Sequence, residues 1–106
     1  MARIHPNVEV THEQIAAFCQ KWQIVEFELF GSVLSDDFRP DSDVDVLVTF
    51  APGSAHRLRD LLAMEDELQL LFRRNVDLVK RKLVEDNPNY ITRNNILRSA
   101  QRIYAV

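Results

Sequence analysis

Hydrophobic positions along the chain recur with two different periods, and the switches between them divide it into elements. Ile15, Phe18, Cys19 and Trp22 fall at i, i+3, i+4 and i+7, the spacing of one helix face. Before them, Thr11-His12-Glu13-Gln14 has the form of a capping box, in which the Thr11 hydroxyl and the Gln14 side chain satisfy free backbone N–H groups. Residues 24–30, IVEFELF, then alternate. Val25, Phe27 and Leu29 face one way and Glu26 and Glu28 the other, which predicts a strand. Gly31-Ser32 breaks it. Residues 44–50 predict a second strand, with Val44, Val46, Val48 and Phe50 on one face.

Ala51-Pro52-Gly53-Ser54 reads as a turn ending in a helix cap. After it, Leu58, Leu61, Leu62, Glu65, Leu68, Leu71 and Phe72 describe a long amphipathic helix. Met64 and Leu70 lie outside that stripe, a surplus suited to a second buried side or to a docking surface. Arg73-Arg74-Asn75 closes the helix, and VDLV at 76–79 predicts a short third strand. Asn87-Pro88 supplies an N-cap and a proline at the first helical position. The last helix it starts would carry Tyr90, Leu97, Ala100 and Tyr104 near one face, with both tyrosines used for packing. The order α-β-β-α-β-α predicts an α/β or α+β fold in which helices cover a sheet. Strand directions stay open at this level.

A length of 106 residues predicts one domain, 1–106, able to bury roughly two thirds of its unfolded surface. A net charge of −3 argues against a general binder of nucleic-acid backbones, but not against a nucleotide whose charge a metal offsets. Cys19 is the only cysteine, which removes an internal disulfide and a cysteine zinc site. Arg3, His5, Glu9, His12 and Glu13 leave no signal-peptide core near the start, and no run approaches the roughly 20 apolar residues of a membrane span. A cytoplasmic protein is expected.

The chemistry concentrates in residues 29–48, LFGSVLSDDFRPDSDVDVLV. In a strand Asp43 and Asp45 point to one face, about 6.5–7 Å apart along the backbone. The buried valines lock that register. Asp77, between Val76 and Leu78, projects away from its own apolar side in the same manner. If the second and third strands are neighbours, three carboxylates converge, each raising the others' pKa. A hard dication with oxygen ligands resolves the conflict; Mg²⁺ takes one or two carboxylates and shares its shell with phosphates. The Gly31-Ser32 turn offers backbone N–H groups and a hydroxyl to those phosphates. A calcium loop counted from Asp41 fails, because Val46 stands where glycine is needed and Pro52 where the bidentate glutamate belongs.

Gly31-Ser32, ten residues (33–42) and Asp43-Val44-Asp45, followed by VLV and later by Asp77 in VDLV, resemble the signature of the minimal nucleotidyltransferases of the DNA polymerase beta superfamily. The tail ILRSAQRIYAV is similar to their usual ending, so the resemblance covers nearly all of the chain after about residue 11. It implies a nucleotidyltransferase fold, a small mixed sheet flanked by helices. It also implies that Asp43 and Asp45 share two Mg²⁺ ions, that Asp77 binds the catalytic one and helps activate the acceptor hydroxyl, and that Gly31 and Ser32 hold the phosphates of ATP.

Arg39 is the first cation after Gly31-Ser32, at a position where the family commonly has one, and is assigned to the nucleotide. Relatives often carry arginines closer to the Gly-Ser; here Val33-Leu34-Ser35-Asp36-Asp37 is uncharged and then acidic, which predicts weak nucleotide binding without a partner. Many small members of the family are antitoxins beside a HEPN-domain ribonuclease toxin and resemble enzymes that move AMP onto a toxin tyrosine. The resemblance therefore implies a metal-dependent protein adenylyltransferase, partnered by a HEPN toxin and a nucleoside triphosphate. It implies no direct nucleic-acid contact, and assembly with itself or with the toxin. The alternative is an antitoxin that neutralises by binding alone.

Overall fold

In the computed structural model, which describes residues 2–106, two layers of helix and turn enclose a sheet. The order is β1 (Arg3–His5), β2 (Val8–Thr11), α1 (His12–Trp22), β3 (Ile24–Phe30), β4 (Val44–Phe50), α2 (Leu58–Phe72), β5 (Val76–Lys80), α3 (Arg81–Glu85), α4 (Tyr90–Ser99) and β6 (Gln101–Ala105). The main sheet has strand order β5-β4-β3-β6, and β1 with β2 forms a separate antiparallel hairpin. β3 pairs antiparallel with β4 and β6, whereas β4 and β5 run parallel, joined by α2 as a crossover. The sheet is mixed and flanked by helices, as the resemblance implied.

The alternation in the sequence decides which side of the sheet meets the larger core. Phe27 and Leu29 of β3, Val44, Val46 and Val48 of β4 and Val76 of β5 pack with Ile15, Phe18 and Cys19 of α1 and Met64, Leu68 and Phe72 of α2. Phe18 and Phe27 meet edge to face with centroids 6.3 Å apart. The capping box of α1 forms as expected: the Gln14 amide donates to Thr11 Oγ1 at 3.2 Å and the Thr11 amide to Gln14 Oε1 at 2.9 Å. Burial pushes the Cys19 thiol up from 9.0 to about 12. Its thiolate fraction near neutral pH is therefore about 10³-fold below that of an ordinary cysteine, so a disulfide reagent should label the unfolded chain readily and the native protein hardly at all. Fast labelling in native buffer would contradict this packing.

Several expectations are corrected. The first ten residues, in which no element was read, hold the β1–β2 hairpin, whose Ile4, Val8 and Val10 close the core. α2 starts at Leu58 rather than after Ser54, with the Arg57 amide donating to Asp60 Oδ2 at 2.9 Å, while the Ser54 hydroxyl donates to the Ala51 carbonyl. Its buried line is Met64, Leu68 and Phe72, with Leu61 and Leu71 partly covered; Leu58 and Leu62 are 72% and 54% exposed. The six apolar positions of the expected stripe span more of the helix circumference than one sheet contact covers, so the periodicity overstates the buried face.

The expected final helix divides. α4 comes first, capped by Asn89 rather than Asn87, and residues 101–105 turn extended as β6; α3, where no element was expected, lies before Asn87. The open edge of β3 explains the change: its unpaired N–H and C=O groups need a neighbour, and α4 buries none of its residues to compete for this segment. Tyr104 packs against the core, but Tyr90 is 61% exposed and does not. No helix among the described residues is long and apolar enough to cross a membrane.

Candidate active site

Two strand pairings bring the motif residues together. In register, Phe30 of β3 lies opposite Asp45 of β4, and Asp45 lies beside Asp77 of β5. Directly paired residues share a face, so Asp45 and Asp77 project side by side from the sheet surface opposite the main core. The two carboxyl groups are close enough to act directly on each other. Burial raises the Asp45 pKa above the usual carboxylate range, and the negative charges of Asp77 and Asp43 add to it.

Gly31 ends β3 with φ +78 and opens a short 3-10 turn, Gly31–Leu34. A Cβ built there would collide with Oδ2 of Asp45 and lie 3.3 Å from its Cγ. Glycine is thus required twice, by the backbone angle and by the carboxylate against it. The Ser32 hydroxyl donates to the Asp43 carbonyl at 3.4 Å, clipping the turn to the residue that introduces β4. Asp43 precedes the strand and is exposed, as is Asp77, while Asp45 is half-buried.

The three-carboxylate convergence read from the sequence is therefore reached in part. Asp45 and Asp77 are brought together, and Asp43 stands close enough to act on Asp45 through its charge. Among the described residues, no three His, Cys, Asp or Glu side chains stand as a ready metal cage. The reason is local: Asp43 lies outside the strand, so the period of two that aims Asp45 does not extend to it. The donor set still fits a hard dication, being all carboxylate oxygen, with a like-charge conflict at Asp45 that such an ion would relieve. Arg39 lies in the loop before Asp43 with its side chain exposed.

Sequence reading passed over other residues with definite contacts. Arg74, seen there only as the end of a helix, donates from Nη1 to the carbonyls of Arg39 at 2.9 Å and Ser42 at 3.3 Å. Asn7 donates from Nδ2 to the carbonyls of Val33 at 2.8 Å and Ser35 at 3.0 Å. Further along the same sheet face, buried Glu28 pairs with Arg81 at the start of α3, beside fully buried Leu47. The alternation set Glu28 on the outward face, and the one visible signal of a second layer was Leu47, an apolar residue sharing a face with Asp45.

The family profile described as Nucleotidyltransferase domain matches residues 12–103. No curated protein matches the chain in sequence. Among solved structures, one described as a candidate minimal nucleotidyltransferase is 31% identical, with a TM-score of 0.65, covering 85% of this chain and 86% of that one. A toxin–antitoxin crystal structure with AMP-PNP aligns with a TM-score of 0.68 at 14% identity, over 92% of this chain and 75% of that chain. A third is the MNT antitoxin complex of a tri-AMPylated Shewanella oneidensis HEPN toxin, with a TM-score of 0.59 at 14% identity, over 90% and 70% of the two chains.

Proposed function

Because this chain belongs to the nucleotidyltransferase domain family, we propose that it moves AMP from ATP onto a tyrosine hydroxyl of a partner HEPN ribonuclease toxin, and so serves as that toxin's antitoxin. The observation that carries the reading is the parallel register that sets Asp45 beside Asp77 with Gly31 against them. The partner and the transferred group rest on likeness to structures of a HEPN toxin bearing AMP with its MNT antitoxin and of a toxin–antitoxin pair with AMP-PNP.

In this reaction the acceptor oxygen bonds to the α-phosphorus of ATP. The bond from that phosphorus to the oxygen bridging to the β-phosphate breaks, and pyrophosphate leaves with the electron pair. Asp77 would take the hydroxyl proton, its exposure on β5 leaving it open to an acceptor. Gly31 and Ser32 present a backbone amide and a hydroxyl to the phosphates, and Arg39 adds a cation at the loop. Asp43, Asp45 and Asp77 would hold Mg²⁺, which when bound supplies charge neutralisation at the phosphates.

The alternative, neutralisation by binding alone, draws on the absence of a ready three-carboxylate cage among the described residues. One experiment separates the two: purified partner toxin, ATP labelled at the α-phosphate, and Mg²⁺. Label on the toxin together with loss of its ribonuclease activity, both abolished by chelator, supports transfer. Toxin silenced without label, with equal potency from an Asp43→Asn, Asp45→Asn double variant, supports binding alone and overturns the proposal.

A further inference from the structure

We infer that Arg74, with Asn7, is a positioning residue of this site, clamping the loop between Gly31-Ser32 and Asp43 so that Asp43 is presented in one place; the inference rests on the proposed function. Residues 35–42 have no regular hydrophobic period and lie between two motif halves whose spacing must be held. Asp43, lying before β4, receives no orientation from the sheet. Its own carbonyl accepts from the Ser32 hydroxyl at 3.4 Å, and the rest of its placement comes from its neighbours. The Ser42 carbonyl on one side accepts from Arg74 Nη1 at 3.3 Å, and the Val44 amide on the other donates to the Asn75 carbonyl at 2.9 Å. Consecutive residues Arg74 and Asn75 thus grip both flanks of Asp43, and the same segment continues directly into β5 and Asp77.

The rest of the loop is tied at matching points. The second N–H of Arg74 Nη1 reaches the Arg39 carbonyl at 2.9 Å, and the guanidinium lies 4.3 Å from the Phe38 ring centroid. Asn7, at the turn of the N-terminal hairpin, holds the start of the loop through Val33 and Ser35. Movement at Arg74 would therefore shift Asp43 relative to Asp77, although Arg74 touches neither carboxylate group. Misplacing a reacting group by about 1 Å can cost on the order of 10²-fold in rate.

A feature of Arg74 permits a clean test. Its Nε is buried without a hydrogen-bond partner, so replacing it by methionine removes that cost along with the guanidinium contacts while keeping an unbranched apolar stem. Arg74→Met should melt within a few degrees of wild type. Amide hydrogen exchange across 35–43 should become at least tenfold faster, with β3, β4 and β5 unchanged. AMP transfer should lose about 10–100-fold in kcat at an unchanged KM for the toxin. Asn7→Ala should loosen 33–36 more than 39–43. Unchanged loop exchange, loosening spread evenly over the three strands, or full kcat in Arg74→Met would overturn the inference. Wild-type protein that labels no toxin would instead defeat the proposed function, and the exchange pattern would still decide whether Arg74 orders the loop.

Discussion

Asp43→Asn should abolish the proposed AMP transfer, lowering turnover by about 10³-fold, while the protein melts no lower than wild type. Asp43 is exposed and its charge opposes that of Asp45, so its carboxylate gives the metal-free fold nothing to lose. Asp45→Asn should be equally inactive and carries a pH signature of its own. The pKa of Asp45 is raised in the fold, so between the ordinary carboxylate value and the raised one the folded state binds more protons than the unfolded chain. By linkage, stability then falls as pH rises through that window and is regained as pH is lowered. Melting in chelator from pH 7 downward should show this gain in wild type and lack it in Asp45→Asn, which has no carboxyl to titrate there. A variant of either residue that transfers AMP at wild-type rate would remove that aspartate from the chemistry.

Gly31→Ala is the second large effect, expected to cost about 3 kcal/mol and most of the transfer activity. A left-handed backbone costs a residue with a Cβ roughly 1–2 kcal/mol, and the collision with the Asp45 carboxylate adds to it. For a chain of this size that is a fall in Tm on the order of 10 °C or more. Gly53 supplies the control. Its φ is +82, but a Cβ there meets nothing within 4 Å, so Gly53→Ala should show the backbone cost alone and leave transfer unchanged. Equal losses for the two variants would mean that the contact between Gly31 and Asp45 has no energetic weight.

The strands that bear the site were legible because each is short and half-buried. Val44, Val46 and Val48 alternate with Asp45, Leu47 and Thr49, and a pattern of period two admits one register. The capping box at Thr11 and Gln14 was legible for a similar reason, since it needs only residues three apart. Segments whose state depends on distant neighbours were misread. Residues 101–105 have helix-compatible spacing yet form β6, because β3 offers an edge that no local pattern announces. The α2 stripe included Leu58 and Leu62, which the fold leaves outside the core.

By itself the sequence determined the candidate chemistry: Gly31, Ser32, Asp43, Asp45 and Asp77, the spacing that relates the first four, and the faces on which Asp45 and Asp77 lie. Side-chain alternation and backbone freedom are properties of a few consecutive residues, so they can be read without a fold. Only the tertiary structure decided that β4 and β5 are parallel neighbours in the register Asp45 to Asp77, that Gly31 abuts Asp45, and that Arg74 and Asn75 hold the residues on either side of Asp43. Those contacts join positions some 14 to 32 residues apart. Hydrogen bonds and charge act through distance in space, and chain closure alone sets which distant residues come within their reach.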